Sequence, residues 1–559
     1  MPLARTLPLA IAAAVLVAVP AGASASQVTK QADTDDGTCA PADCSLRDAI
    51  KYGPSGDLIN VPTGTYHLDM TLGELTVNHP LTITGAGAGP TTVTADGHHR
   101  VFFIGSSGAV MLRKLEVTGG NGEAGEGGGG IVGFGSGVLT LDHVRVTGNS
   151  ADVTHSADTT MQYIGGGGIG VVGPLTVTDS TIDHNEIGLS AAAGMTTSGG
   201  AGVYVIGGPL KLTRTEVRDN DAVLGAQHGF SPRTVTENGG GGIFSFNATV
   251  SLTASTLAGN SFRLTKATSP SASPSTYSGG GGIYADGGTL TATNSTVSGN
   301  GAAVDALVFD NGGGGLYAKG APTMLTNATI AGNTASNNAN NAGGGIYAYG
   351  ATVKPRRTIF ARNTADANAN CFGTVSSQGH NLDSGNTCGL AGPGDTVNTN
   401  PLLAALANNG GPTRTLALMR GSPAINAAGL SGCPASDQRG HSRPRGPACD
   451  IGAFEADVPN ARTAKAKSVK ARSARLRGTL TPNGRATTYL FEFGRTKAYG
   501  SKTAVKSAGA GSFPVAVSTR LSRLKPHKTY HYRLVAINAA GTTFGADRKF
   551  KTKRAKKKH

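Results

Sequence analysis

The sequence predicts an all-β chain, a parallel β-helix followed by a small β-sandwich. Three observations carry that expectation. Gly and Pro supply 84 and 26 of the 559 residues, while charged residues are held to 15%, a composition suited to turns and short strands. A Gly-rich block recurs through the centre of the chain. Between blocks, aliphatic residues alternate with Thr, Ser and Asp, the period of half-buried strands. No Gly-X-Y period is present, which excludes collagen, and heptads are too scarce for a coiled coil. Trp is absent and aromatics are 5% of the chain, so no aromatic-dense cleft is advertised.

In chain order, residues 1–25 read as a secretory signal. Arg5 gives the positive start, Leu7 to Val19 the apolar stretch, and Ala23-Ser24-Ala25 the small-residue cleavage site. The rival is an uncleaved anchor, for which the apolar run is short. No second hydrophobic segment follows, so the expectation is a secreted, extracellular or surface-associated monomer with no transmembrane segment. Six Cys in an exported chain fit an oxidised state. Fifteen pairings are open. Local couples are preferred because they lie far apart in the chain: Cys39 with Cys44, Cys371 with Cys388, and Cys433 with Cys449. Zinc is disfavoured, since no His accompanies the couples at ligand spacing.

Residues 26–126 form an expected cap and first coils, and residues 127–369 the regular repeats. Blocks begin at Gly127, Gly165, Gly199, Gly239, Gly279, Gly312 and Ala342. Each leads to a run closed by Asn149, Asn185, Asn220, Asn260, Asn300, Asn333 or Asn363. Block to Asn spans 20 to 22 residues, whereas Asn to the next block spans 9 to 19. All length variation is therefore confined to one side of the repeat. A single repeat cannot bury its own apolar face, but stacked copies share one core, and equivalent strands returning once per repeat give a parallel β-helix with one repeat per coil. The Asn column reads as structural: Asn accepts a left-handed corner, and stacked amides can bond along a ladder. Ser180, Thr215, Ser255, Ser295, Ala328 and Thr358 form a second column of small residues five positions earlier.

Segments at both ends of the solenoid resemble known families. The run Cys44-Ser-Leu-Arg-Asp-Ala49 resembles the CSLREA signature of exported β-helix proteins, with Asp48 in place of Glu. Residues 370–455 end in Asp437 to Glu455, DQRGHSRPRGPACDIGAFE, which resembles the close of the choice-of-anchor Q domain of bacterial surface proteins. The resemblance implies a right-handed, pectin-lyase-like coil and carries no catalytic residue. Residues 456–467 read as a linker, 468–552 as a separate module and 553–559 as a basic tail. Within the module, Leu524-x-Pro-x-x-x-Tyr-x-Tyr-Arg-Leu534 and Asn538-Ala-Ala-Gly541 resemble a fibronectin type III sandwich. Turns at Pro482-Asn-Gly and Pro526-His support that reading independently.

β-Helices also host polysaccharide lyases and hydrolases, which need clustered or paired carboxylates. Six residues before each Asn stand His143, Asp179, Arg214, Ala254, Asn294, Asn327 and Arg357, with no carboxylate pair on neighbouring coils. Asp142, Asp179 and Asp183 come nearest to a cluster and, with His143, His155 and His184, read as surface residues. Asp33, Asp35 and Asp36 before Gly37 offer a weak calcium loop without EF-hand spacing. No catalytic, cofactor or metal residue is therefore assigned. One column is double-edged. Tyr204, Phe244, Tyr284, Tyr317 and Tyr347 follow successive aliphatic anchors, either as a carbohydrate-stacking strip or as rings stacked on one another beneath the variable loops.

Charge divides the chain. Residues 1–455 hold 24 Lys and Arg against 31 Asp and Glu, net −7, whereas residues 456–559 hold 25 against 3, net +22. The resulting expectation is a secreted or cell-surface β-helix protein without enzymatic activity, in adhesion or cell-envelope binding. Its partner is an anionic envelope polymer or polysaccharide, with no specific nucleic acid. The alternative is a polysaccharide lyase or glycoside hydrolase.

Overall fold

The computed structural model describes residues 25–53, 56–122, 127–154, 162–191, 196–226, 236–265, 276–304, 310–337 and 342–555. The expected signal before Ala25, His155 and the tail beyond residue 555 lie outside the described residues. The chain folds as a parallel β-helix continued by an antiparallel sandwich. A central coil shows the plan. From Gly239 it runs through Ile243–Phe246 and Thr249–Thr253, both in a 20-stranded sheet. It then contributes Thr256–Ala258 to an 11-stranded sheet and Ser261–Thr265 to a 7-stranded sheet. Thr276–Gly279 in a 5-stranded sheet leads into the next block.

Register follows the sequence columns. Ile131, Ile169, Val203, Ile243, Ile283, Leu316 and Ile346 pair in succession along one sheet. Val146, Ile182, Val217, Leu257, Val297, Ile330 and Phe360 do so along another. Both columns are buried in one core that runs the length of the solenoid.

The seven Asn side chains form a continuous ladder inside this core. Each Nδ2 donates to the Oδ1 of the next Asn, at 2.8 to 2.9 Å from Asn149 through to Asn363. Each also donates to a backbone carbonyl of the preceding coil, for example Asn260 to Val217 at 2.9 Å. Each Oδ1 takes a backbone N–H as well, as Asn300 does from Asn260 at 3.1 Å. The ladder runs on from Asn363 to Asn370 at 2.8 Å and ends on Asp383. Its backbone role differs from the expectation. Left-handed φ falls on the residue before each Asn, such as Gly259 (67°), and on the residue six before it, such as Ala254 (52°). The corner is thus turned by one residue while the next directs its amide along the axis. The second column bonds similarly, with Ser255 and Ser295 Oγ accepting from the N–H of the preceding coil at 3.2 Å.

Both ends of the solenoid are closed. At the start, Ser45 and Asp48 form a reciprocal capping box on the helix Leu46–Tyr52, so Asp at that position serves. Arg47 donates to Asp33 at 2.9 and 2.7 Å and to the carbonyls of Gly73 and Glu74 at 2.6 and 2.9 Å. Helix and loop thereby cover the first coils. At the other end the chain reverses through the hairpin Leu403–Ala407 and Thr415–Leu418 and lies back along the 11-stranded sheet. Leu403, Leu416, Ile451 and Phe454 pack there on Ala331, Ile359 and Leu382. The bridges are Cys39–Cys44, Cys371–Cys388 and Cys433–Cys449, with no free cysteine among the described residues.

The stretch expected as a linker is instead structured. Asn460–Lys467 is the first strand of the sandwich, paired with Ala474–Thr481, which pairs with Val515–Leu521. The second sheet centres on Thr487–Gly494 and Thr529–Ile537, and the two sheets share one core that includes Leu476, Phe491, Tyr532 and Leu534. Tyr530 Oη accepts the Lys525 N–H at 2.9 Å, fixing the turn before its strand as a tyrosine corner does. Asn538 and Asn483 donate to the carbonyls of Asp457 and Val458 at 2.8 and 2.6 Å, tying the sandwich to the end of the solenoid.

Replacing Asn300 by Leu should destabilise the chain by about 1–3 kcal/mol or more, because buried amide bonds are lost on both sides. The exposed change Lys211→Ala should stay within about 0.5 kcal/mol. Thermal or denaturant melts compare them; equal effects would contradict the ladder's role.

Candidate functional site

The face where a β-helix hydrolase would carry its acids is divided in two. The folded-back segment covers its C-terminal part. Asn294 donates to Ser436 O at 2.9 Å, Asn327 to Asp450 O at 3.3 Å, and Thr413 to Ala254 O at 3.0 Å. Arg357, expected on the regular outer face, is buried and donates to the carbonyls of Ala428 and Gly432 at 2.9 and 2.7 Å and of Ser431. Gln438 plugs the segment into the coils, taking Thr296 Oγ1 at 2.6 Å and donating to Thr256 Oγ1 at 2.7 Å.

The uncovered part carries a ladder of charge pairs. Arg113 meets Asp142 at 3.1 Å, and His143 Nδ1 lies 2.7 Å from the same carboxylate. Arg214 grips Asp179 with two bonds of 2.7 and 2.6 Å. Asp183, expected at the surface, is fully buried between Arg145, which gives two bonds of 3.0 Å, and Arg218. Burial alone would push the Asp183 carboxyl up, but the Arg145 hydrogen bonds and the charge of Arg218 outweigh it and hold it below its ordinary value. His184 is exposed beside it at 3.2 Å. A general acid or base needs a proton or a free lone pair at working pH; bidentate guanidinium partners engage both oxygens of Asp179 and Asp183, and Arg113 and His143 engage one oxygen each of Asp142. Asp142, His143 and Asp179 place one ligand atom each within 4.8 Å of one another, yet a cation there would compete with Arg113 and Arg214. The three acids read as a calcium loop are likewise each paired with a cation: Asp33 with Arg47, Asp35 with Lys51, and Asp36 with Lys30, which also meets Asp43. Lys30 holds Asp36 down to about 2.

The aromatic column is internal. Tyr204, Phe244, Tyr284, Tyr317 and Tyr347 expose 4, 0, 0, 0 and 1% of their surface. Their rings stack at 5.0, 5.1, 4.8 and 4.8 Å, and the stack continues to Phe372 at 5.1 Å. A sugar needs an open ring face, so of the two readings of this column the structure bears out rings stacked on one another, a buried ladder at strand spacing, and not the carbohydrate strip. The glycine blocks make room for it. A Cβ on Gly165, Gly239 or Gly312 would lie 2.0, 2.6 or 2.9 Å from a ring carbon of Tyr204, Tyr284 or Tyr347.

The folded-back segment hides a second set of charges that the sequence did not single out. Asp437, Asp450 and Glu455 are buried here; Arg439 bonds Asp437 at 2.7 Å and Arg443 bonds Glu455 at 2.9 Å. Among the described residues no Lys or Arg lies within ion-pair distance of Asp450, whose carboxyl accepts the backbone N–H of Asn426 and Ala456 instead. Burial, with the neighbouring Glu455 behind it, pushes Asp450 up, and burial also raises Glu455 against the pull of Arg443.

The sandwich holds the opposite imbalance. Its acids are each engaged: Asp457 by Arg445 and Arg485, Glu492 by Arg533 and Lys502, Asp547 by His531. The charge of Lys551, followed by desolvation and by Arg554 and Lys528, pushes His527 below its ordinary value. Among the described residues, no helix is long and apolar enough to cross a membrane.

No family model matches the chain, and no curated protein matches it. Among solved structures, it is similar to the sensor domain of the anti-sigma factor RsgI4 of Pseudobacteroides cellulosolvens. A short form matches at 21% identity over 17% of this chain and 96% of that one, with a TM-score of 0.16. A longer form matches at 26% identity over 18% and 95%, with a TM-score of 0.14.

Two outcomes follow from this geometry. Phe244→Ala should cost about 3–5 kcal/mol in melts, as for other buried aromatics. The buried acids set a pH dependence. Raised folded values mean that the folded chain binds protons more tightly than the unfolded one, so stability falls as pH climbs from the ordinary carboxylate range through those values. Acidification from about pH 7.5 to about pH 5 should therefore raise the melting temperature of the parent relative to that of an Asp450→Asn variant, the lowered His441 and His527 acting in the opposite sense in both. Further acidification should lower it as Asp183 and Asp36, held low in the fold, begin to protonate.

Proposed function

We propose that the chain is an exported, non-enzymatic β-helix protein of the cell surface, held to anionic envelope polysaccharide by its basic C-terminal sandwich. The division of charge carries this reading: net −7 up to residue 455 and net +22 after it, with every acid of the sandwich already engaged. Fields of one sign raise the local concentration of polyanions and speed their capture. Three disulfides are the chemistry of oxidising compartments and support export. The resemblance of Asp437–Glu455 to choice-of-anchor Q proteins supports a surface context. In this reading the solenoid is a rigid spacer, and the guanidinium-paired carboxylates of Asp142, Asp179 and Asp183 are structural.

Retention on isolated cell envelope should be strong for the whole chain, weaken steeply with salt, and be lost in a chain ending at Pro459. That end keeps the Asp457 and Val458 contacts with the solenoid. Equal retention of both chains across the salt series would refute the assignment. Incubation with pectin, alginate, chitin or peptidoglycan fragments should release no products. Turnover abolished by Asp142→Asn or Asp179→Asn would install the lyase or hydrolase reading instead.

A further inference from the structure

The three-stranded sheet of the sandwich has an unusual outer face. Ala474, Leu476, Leu480, Val517 and Leu521 point into the core, which turns the alternate residues outward. The register sets Lys467 opposite Arg475, and Arg475 opposite Arg520. Three cations thus stand in one row across all three strands. Arg477 lies two residues further along the central strand, and Arg462 sits opposite Thr479 one row beyond. Lys467, Arg475, Arg520 and Arg462 are exposed and Arg477 is half-buried. Like charges directly opposite one another destabilise a sheet. None of the three acids of residues 456–559 lies on these strands. Among the described residues no carboxylate pairs with any of the five cations.

We infer that this face binds a linear polyuronate, an acidic polysaccharide with one carboxylate on each sugar. The inference rests on the attachment reading above and gives it a site and a ligand class. Strand spacing of about 4.8 Å and an alternate-residue step of about 6.7 Å place Arg475, Arg477 and Arg520 on a regular grid, and a bulge between Ala464 and Lys467 brings Lys467 alongside Arg475, an array suited to charges repeated along an extended chain. Four of the five are Arg, whose planar fork fits a carboxylate with two parallel bonds. Between them stand Ala464, Thr479, Ala516 and Ser518, small residues that leave room for sugar rings. The same face disfavours nucleic acid. It offers no aromatic ring for base stacking, and a broad three-stranded sheet does not enter a duplex groove as a helix or two-stranded ribbon does.

The test uses the full chain and immobilised polygalacturonate, with neutral dextran and duplex DNA alongside. The triple variant K467Q/R475Q/R520Q is compared with K506Q/K549Q/K551Q, which removes the same charge from exposed positions of the other sheet. The row variant should bind polygalacturonate about tenfold or more weakly, with a salt slope lower by about two, and melt no lower than the parent because repulsion is relieved. The second variant should stay within about threefold of the parent, and dextran should not bind. Equal weakening by both variants, or tighter binding to DNA than to polygalacturonate, overturns the inference. Envelope retention without polygalacturonate binding also overturns it while leaving attachment intact. Polygalacturonate binding without envelope retention supports the site and removes the attachment reading.

Discussion

The solenoid depends on one demand, that the polar groups at every coil corner be satisfied along the axis. Inside a dry core an unpaired amide costs about 1–3 kcal/mol, and each coil turns where its backbone cannot bond within its own plane. The Asn column answers this with one side chain per coil that accepts from the coil before and donates to the coil after. Because each amide is both donor and acceptor, a shift of register by one residue would break bonds on two coils at once. The strand pairings inherit that precision: the same aliphatic position meets its equivalent in every coil from Ile131 to Ile346.

Once register is set, the other columns follow from it. Rings that recur one residue after the anchor must fall on top of one another at strand spacing, and at Gly165, Gly239 and Gly312 a Cβ would strike the ring of the next coil. Glycine at the block start and aromatic at the anchor-plus-one position are therefore one device rather than two. The ladder then needs ends. At one end Asp48 and Arg47 are consumed in capping and bracing the helix Leu46–Tyr52; at the other Asn370 and Asp383 take the last amides. The polar segments flanking the repeats are, on this geometry, lids.

Periodic features were legible in the sequence and aperiodic ones were not. The anchors, the Asn ladder and the local disulfide couples depend on spacing, which a sequence displays directly. The aromatic column showed its alignment but not its burial, because the covering glycines belong to the adjacent coil. Phe372 could have been found, since it follows Cys371 as each ring follows its anchor. Propensity assigns Asn the left-handed corner, whereas its amide is committed to the ladder and the turn falls to the residue before. The docking of Gln438 on Thr256 and Thr296 joins positions more than a hundred residues apart with no period to announce it, so the burial of Arg357 went unread. Residues 456–467 looked like a linker by composition, although their alternation of Ala with Arg and Lys is also that of an edge strand.

The two halves treat charge in opposite ways, and that contrast locates function. In the solenoid, Asp142, Asp179 and Asp183 each meet a guanidinium, and burial raises the carboxyl of Asp450, which accepts backbone N–H groups rather than lining an open site. Such balance stabilises a scaffold and leaves little potential outside it. In the sandwich, Lys467, Arg475 and Arg520 face one another across paired strands with no acid to relieve them. A sheet could lower its energy by placing one Glu in that row, as Glu492 does beneath Arg533 on the other sheet. Repulsion kept on a surface whose opposite sheet relieves its own is repulsion that an outside anion can remove. The binding surface is thus best sought where the fold leaves charge unmatched, away from the acids that a β-helix first brings to mind.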